Sequence, residues 1–405
     1  MSGLLLLRAE GFIDGLGHHT SAGSEVVVDG SRIVAAGPVG DRTAGSEDTI
    51  LEFPGATIMP GLIDCHVHLS GLHCGGPSDW PESRDAAVAF DTVAVARGLE
   101  RLLHEGLTTV RDCGYPHHGL LGLRRAQHAG LFTGPRLVIS GRAITTTGGH
   151  GAGLSVRADG VDEVRRAVRE EMRVGADWIK LMLTGGTASP HERVEDVQMT
   201  VEEARAAATE AHARGRKVAA HCSNRDGAHL ALNAGVDSIE HGIDLDGSAV
   251  DRMAAQGTWL SAALRCTRVE AEATEESGIP GYVRQKAAGI ADSQAASFQR
   301  ALQRGVSIAA ATDAGPAYFP LGVESMIAEL ATMQELGMTT LETLSSAAGR
   351  AGQLLGLEDV GVLRPGAMAD VIVVGGDPVR SLDALRHLEL VMAEGRIVTA
   401  PPSRR

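Results

Sequence analysis

The sequence predicts an α/β protein: a (β/α)8 TIM barrel with a small β-sandwich domain formed by both termini. Three observations lead there. From residue 58 to about 312, short apolar runs alternate with helical segments rich in Ala, Glu, Arg and Leu. The runs number eight, and no glycine-rich phosphate loop follows the first, which favours a closed parallel barrel over the open doubly wound sheet that any β/α alternation also allows. Both ends of the chain instead read as short strands and turns, and pair most simply as one β unit beside the barrel.

Taken in order, "SEVVVDGSRIVAAG" predicts a hairpin turning at Asp29-Gly30 between β-branched runs. The run at 58–63 opens the barrel. "LTTVRDCG", "PRLVISG", "DWIKLML", "KVAAHCS", "DSIEHG", "TWLSAAL" and "VSIAAATD" follow as near-continuous apolar strands, the pattern of strands buried on both faces. Among the intervening helices, "VDEVRRAVREEMRVG" and "TVEEARAAATEAHARG" are the clearest. The second has Thr200 as N-cap, Glu203 at capping-box spacing and Gly215 as a stop. After helical sequence to about 356, "GVLRPGAMADVIVVGGDP" and "LELVMAEGRIV" return to strand character. The expected domains are therefore 58–357 for the barrel and 1–57 with 358–405 for the β-sandwich.

Composition narrows the function. A formal net charge of −14 over 405 residues argues against nucleic acid or an anionic membrane as partner. Aromatic content of 3% leaves little for stacking platforms. Cysteines at 65, 74, 113, 222 and 266 show no CxxC spacing, which suits a reducing compartment. The leucine run in "MSGLLLLRAE" is cut by Arg8 and Glu10 too early for a signal-peptide core, and no stretch approaches a membrane span. The expectation is a cytoplasmic protein acting on a small molecule, with homo-oligomerisation left open.

The carboxyl ends of barrel strands are where such folds assemble their sites. In "GLIDCHVHLSG", His66 and His68 share one face of an extended segment. Alone, that pair is more readily an accident than a metal site. Lys180 lies in strand four, His221 ends strand five, His241 ends strand six and Asp313 ends strand eight. Four imidazoles and a carboxylate at corresponding positions suit zinc or a similar divalent ion. Lysine is seldom buried without a partner, so its place in "DWIKLML" also points to a task. His150, in the glycine-rich "TTTGGHGAG", is a candidate to bind substrate or a tetrahedral oxyanion. Cys65 and Cys222 read as small buried hydrophobes, Cys113 has no clear role, and His73, His117, His118 and His191 are not nominated as ligands.

The stretches "MPGLIDCHVHL", "GLTTVRDCG", "GPRLVISGR", "TTGGHG", "ADWIKLM", "AAHCS", "GVDSIEHGIDLD", "ATDAG" and "GVLRPGAMADVIVV" resemble the amidohydrolase superfamily across nearly the whole chain. The likeness is closest to the binuclear-metal branch of Xaa-Pro dipeptidases and imidazolonepropionase-like proteins. It implies that His66, His68 and Asp313 hold the more buried of two divalent ions, zinc being expected, and that His221 and His241 hold the second. It further implies that Lys180 bridges both as a carbamate formed with carbon dioxide, since a protonated amine cannot. A hydroxide bridging the metals would then attack a carbonyl, with Asp313 as ligand and proton shuttle.

The resemblance favours an amide substrate, either peptide-like or an N-acyl amino acid. Arg265, directly after strand seven, is the candidate partner for a substrate carboxylate, unless Glu270 or Glu272 holds it in an ion pair. Dipeptidases of this branch commonly carry a tyrosine two places after the strand-five histidine. Here Ser223 stands there, which counts against dipeptide specificity. The alternatives are a mononuclear deaminase or cyclic-amide hydrolase of the same superfamily, which usually lacks the bridging lysine, and a non-catalytic barrel with an assembly role.

Overall fold

The computed structural model describes residues 3–40, 45–72, 84–315 and 318–399. The two chain ends meet in one sheet. Strand Leu5–Ile13 runs parallel to Thr49–Pro60 and antiparallel to Ser24–Asp29, which turns back through Gly30 into Arg32–Pro38 as the hairpin pattern predicts. From the other end, Val371–Gly375 pairs with Thr49–Pro60, and Leu388–Ala393 and Arg396–Thr399 extend the sheet. The edge strand Arg32–Pro38 returns to the segment ahead of Val371, where Ile33 N–H donates to Ala367 O at 2.9 Å. Alternation divides the side chains between two cores. Val371 and Val373 pack with Leu7, Val26, Phe53 and Ile58 inside the β unit, while Ile372 and Val374 join the core shared with the barrel.

The run at 58–63 is split between the two units. Ile58, Met59 and Pro60 end the long terminal-sheet strand, and the barrel opens only at Leu62–Val67. Between them Gly61 presses so closely on Thr108 that a Cβ there would come within 2.2 Å of its side chain. Nothing polar interrupts the sequence at this join, so an apolar pattern reads straight through it.

The barrel strands Leu62–Val67, Leu107–Asp112 and Arg136–Ile139 lie side by side and parallel. Trp178–Met182, Lys217–Cys222, Ser238–His241 and Trp259–Ser261 continue the order, also parallel. Asp177 N–H to Ile139 O at 2.7 Å joins the third strand to the fourth. The eighth run closes the circle with sparse bonding: Ala309 N–H to Leu260 O on one side, Cys65 N–H to Ala310 O and Asp313 N–H to His66 O on the other. Its only ladder contacts among the described residues are the isolated bridges Leu260↔Ile308 and Val67↔Ala314. Thr200 and Glu203 form the expected capping box at the head of helix Val201–His212. No helix among the described residues is long and apolar enough to cross a membrane.

Candidate metal centre

His66 and His68 stand at the end of the first barrel strand, with their rings 5.3 Å apart and edge to face. Both aim Nε2 at Asp313 Oδ1, at 3.4 Å for His66 and 3.2 Å for His68. These three donors lie close enough to share one ion. Asp313 reaches them from a backbone with φ of 55°, pinned by its N–H on His66 O. A left-handed φ is uncommon for aspartate, and strain of this kind persists only where the surroundings enforce it.

Each histidine has its remote nitrogen engaged, which fixes the orientation of the other, as ligating histidines require. Nδ1 of His68 faces Gly114 O at 3.2 Å. Nδ1 of His66 faces Glu240 Oε2 at 2.8 Å. Glu240 in turn accepts two bonds from Arg111 Nη2, at 2.9 and 3.0 Å, and one from Ser238 Oγ at 2.5 Å. Burial alone would raise the Glu240 carboxyl, but the adjacent Arg111 and His66 outweigh it and hold it well below the carboxylate range. The guanidinium also lies 4.5 Å above the Trp178 ring.

His221 and His241 complete the group from the fifth and sixth strands, their rings 4.6 Å apart. Nε2 of His221 meets Gly185 O at 3.2 Å and Ser223 Oγ at 2.9 Å, leaving Nδ1 as its free donor. The Lys180 side chain is wholly buried, and its Nζ lies 3.3 Å from His66 Nε2. Burial, reinforced by the Lys180 charge, lowers His66 to about 4. Burial likewise takes His241 to about 3 and His221 well below its ordinary value. These imidazoles are therefore neutral at neutral pH, the form that binds metal. Asp313, by contrast, is drawn well below the carboxylate range against the effect of burial, with His68, which it raises in turn, bonding it directly. Three neutral imidazoles, a fourth on His68 paired with the Asp313 carboxylate, and a buried lysine together fit a divalent-metal site.

The remaining sequence candidates divide. His150 stacks on His221 with ring centroids 4.3 Å apart, so it belongs to the cluster. Its Nδ1 bonds Glu192 Oε1 at 2.8 Å and its backbone N–H donates to Gln198 Oε1 at 2.7 Å. Arg265 is not brought in: its guanidinium pairs with Glu272 at 3.4 Å, as the competing ion-pair reading allows. It lies one position from the helix face that meets Asp313, and that step turns it about 100° away. Cys65 packs as a small hydrophobe with Ile63, Ala309 and Ala311. Cys113 comes close to His66 and Glu240, but burial pushes its thiol up to about 12 and keeps it protonated. His73 and Cys74 lie outside the described residues.

Sequence reasoning missed Arg111, Glu240 and Glu192. The first two had a readable signal: opposite charges inside the apolar strands "TTVRDCG" and "DSIEHG" each demand a buried partner. Glu192 sits in a loop whose folding no local pattern announces.

Residues 57–398 match the family model described as "Amidohydrolase family". The chain is 31% identical to ochratoxinase from Aspergillus niger over 369 residues, covering 82% of this chain and 73% of that protein. It is 28% identical to imidazolonepropionase from Rhizorhabdus wittichii over 384 residues, covering 86% and 87%. A crystal structure of a Xaa-Pro dipeptidase with bound methionine in the active site superposes with a TM-score of 0.86 at 30% identity, covering 97% of this chain and 99% of that one.

Proposed function

Because the chain belongs to the amidohydrolase family and is a hydrolase acting on carbon–nitrogen bonds, we propose that it cleaves the amide bond of a small peptide-like or N-acyl amino acid substrate with the help of two divalent ions, zinc being the expected metal. The observation that carries this reading is the convergence of His66 Nε2 and His68 Nε2 on Asp313 Oδ1, with His221, His241 and Lys180 beside them. His66, His68 and Asp313 would hold one ion, His221 and His241 the other, and a carbamate on Lys180 both. Bound there, the ions supply polarisation of the amide carbonyl and acidification of a water.

The chain's own residues do the rest. The Asp313 carboxylate, hydrogen-bonded by His68, would take a proton during attack and return it to the departing amine. His150 is oriented by its Nδ1 contact with Glu192, and in its imidazolium form Nε2 would donate to the oxygen that becomes negative. Glu240 holds the His66 ring in place, and Arg111 balances its charge.

The names of the relatives support amide chemistry and leave the side chains of the substrate open. The test is a screen of zinc-loaded protein against dipeptides, N-acyl amino acids and lactams, with the metal-stripped protein as control. Metal-dependent release of an amine or amino acid from one class is the expected result. Hydrolysis of no member, by protein shown to hold its metal, would sink the reading.

A further inference from the structure

The helix Leu264–Glu272 follows the seventh barrel strand and carries Cys266 and Glu270 four residues apart, hence on one face. Both are buried, each with 5% exposure. Cys266 and Glu270 are both close enough to Asp313 to interact with it electrostatically. Tyr318 donates its hydroxyl to Glu270 Oε1 at 2.8 Å, and the Thr187 hydroxyl lies near the same carboxylate. Thr187 immediately follows Gly186, which packs so tightly on the His150 ring that a Cβ would come within 2.4 Å of it. One residue earlier, Gly185 O meets His221. Glu270 therefore lies near Asp313 and near the Gly185–Thr187 segment that packs on His150, the groups assigned to the two ends of the reacting amide.

What no side chain among the described residues gives this carboxylate is a cation. Among the described residues no Lys, Arg or His pairs with it: Arg265 goes to Glu272 and Arg268 to Glu335. It belongs to neither donor set close enough to share an ion. Burial pushes it up to about 7, against the pull of the two hydroxyl donors. A desolvated carboxylate is costly unless a counter-charge reaches it. In a site that opens to solvent at His68 and Asp313 (side chains 16% and 21% exposed), the ligand itself can bring one.

We propose that Glu270, oriented by Tyr318 and Thr187, binds the free ammonium group of the substrate residue that contributes the scissile carbonyl. This rests on the amide-hydrolase reading and, against the expectation drawn from Ser223, narrows it to dipeptide-like substrates with a free amine, excluding N-acyl amino acids. The connectivity agrees, because an α-ammonium is separated from the carbonyl carbon by a single carbon. It also reassigns the charge recognition expected of Arg265 from the substrate's anionic end to its cationic one.

Binding and turnover are measured separately on the zinc-loaded protein. Calorimetric titration with L-methionine and with N-acetyl-L-methionine is expected to show at least about 10-fold tighter binding of the free amine, the range of a charge-assisted hydrogen bond. Glu270→Gln keeps an acceptor for Tyr318 and removes the charge. It should bring the ratio near one with zinc content unchanged and the melting temperature no lower, and Tyr318→Phe should reduce the ratio by less. Equal affinities in wild type, a ratio that survives Glu270→Gln, or binding of neither probe overturns the proposal. The hydrolase reading fails differently: a methionyl dipeptide and its N-acetyl form would both go uncleaved while the binding ratio persisted.

Discussion

Glu240→Gln tests whether the buried chain from Arg111 to His66 supports the metal site. The substitution preserves shape and removes one charge from a place where water does not enter, since Arg111 and Glu240 are both fully buried. Two Arg111 bonds, one from Ser238 and the contact with His66 Nδ1 all end on that carboxylate. Breaking one side of a buried ion pair costs about 3–5 kcal/mol, a large share of the roughly 5–15 kcal/mol that keeps a typical protein folded. The glutamine amide also turns two donors toward groups that are themselves donors, so the upper part of that range is expected. Losing the anionic partner of a ligating histidine lowers metal affinity about 10- to 100-fold.

Affinity is read by competition with a chelator, and stability by urea unfolding of the metal-free protein. The pH dependence has a definite sign. The folded carboxyl lies below its ordinary value of 4.5, so its contribution is complete above that pH and fades as pH falls through the folded value. The gap between wild type and variant must therefore be widest near neutrality and close in acid. Metal affinity within twofold of wild type, together with an unchanged urea midpoint at pH 7, would refute the assignment of Glu240 to this role.

Three further outcomes are expected. Asp313→Asn should lower kcat by on the order of 100-fold or more with little change in KM, measured alongside metal content because the same residue is a proposed ligand. Arg265→Met should leave KM within about twofold for any substrate found, since its guanidinium already pairs with Glu272; a large KM rise would restore it to the site. Glu329, which burial raises from 4.5 to about 8, holds its proton in the folded state longer than in the unfolded one, so its contribution declines as pH rises across that interval. In Glu329→Gln that decline should vanish, and melting curves between pH 5 and 8 should diverge from wild type by up to about 1.4 kcal/mol per pH unit.

The barrel and its histidines were legible because their signals are local and repeated. An apolar run followed by a polar residue of metal-binding type recurs at the first, fifth, sixth and eighth strands, and each instance supports the others. The pairing of Arg265 was less so, because its alternatives differ only in which way a helix turns. The Arg111–Glu240 pair spans 129 residues, and a contact that distant shows locally only as two misplaced charges. The join at Gly61 hides for the opposite reason, since both units want the same apolar residues. Glu192, Thr187 and Tyr318 come from loops, where spacing carries no period and only the closed barrel brings the residues together.

Backbone strain ties these loops to the chemistry. His241, Ala263 and Asp313 have φ of 68°, 52° and 55°, and they lie at or just beyond the ends of the sixth, seventh and eighth barrel strands. Glycine would adopt these angles without penalty, yet at 241 and 313 it would remove a proposed ligand, so strain there accompanies a side chain that has to be aimed. Ala263 offers no such side chain, and its value lies in the helix it launches. The left-handed turn delivers Leu264 N–H and Arg265 N–H to Glu329, at 3.0 and 2.7 Å. Anchored at that point, the helix turns the face bearing Cys266 and Glu270 toward Asp313 and leaves Arg265 to pair with Glu272. Of the two charged residues that could meet a substrate from this helix, the strained turn at Ala263 selects the acid.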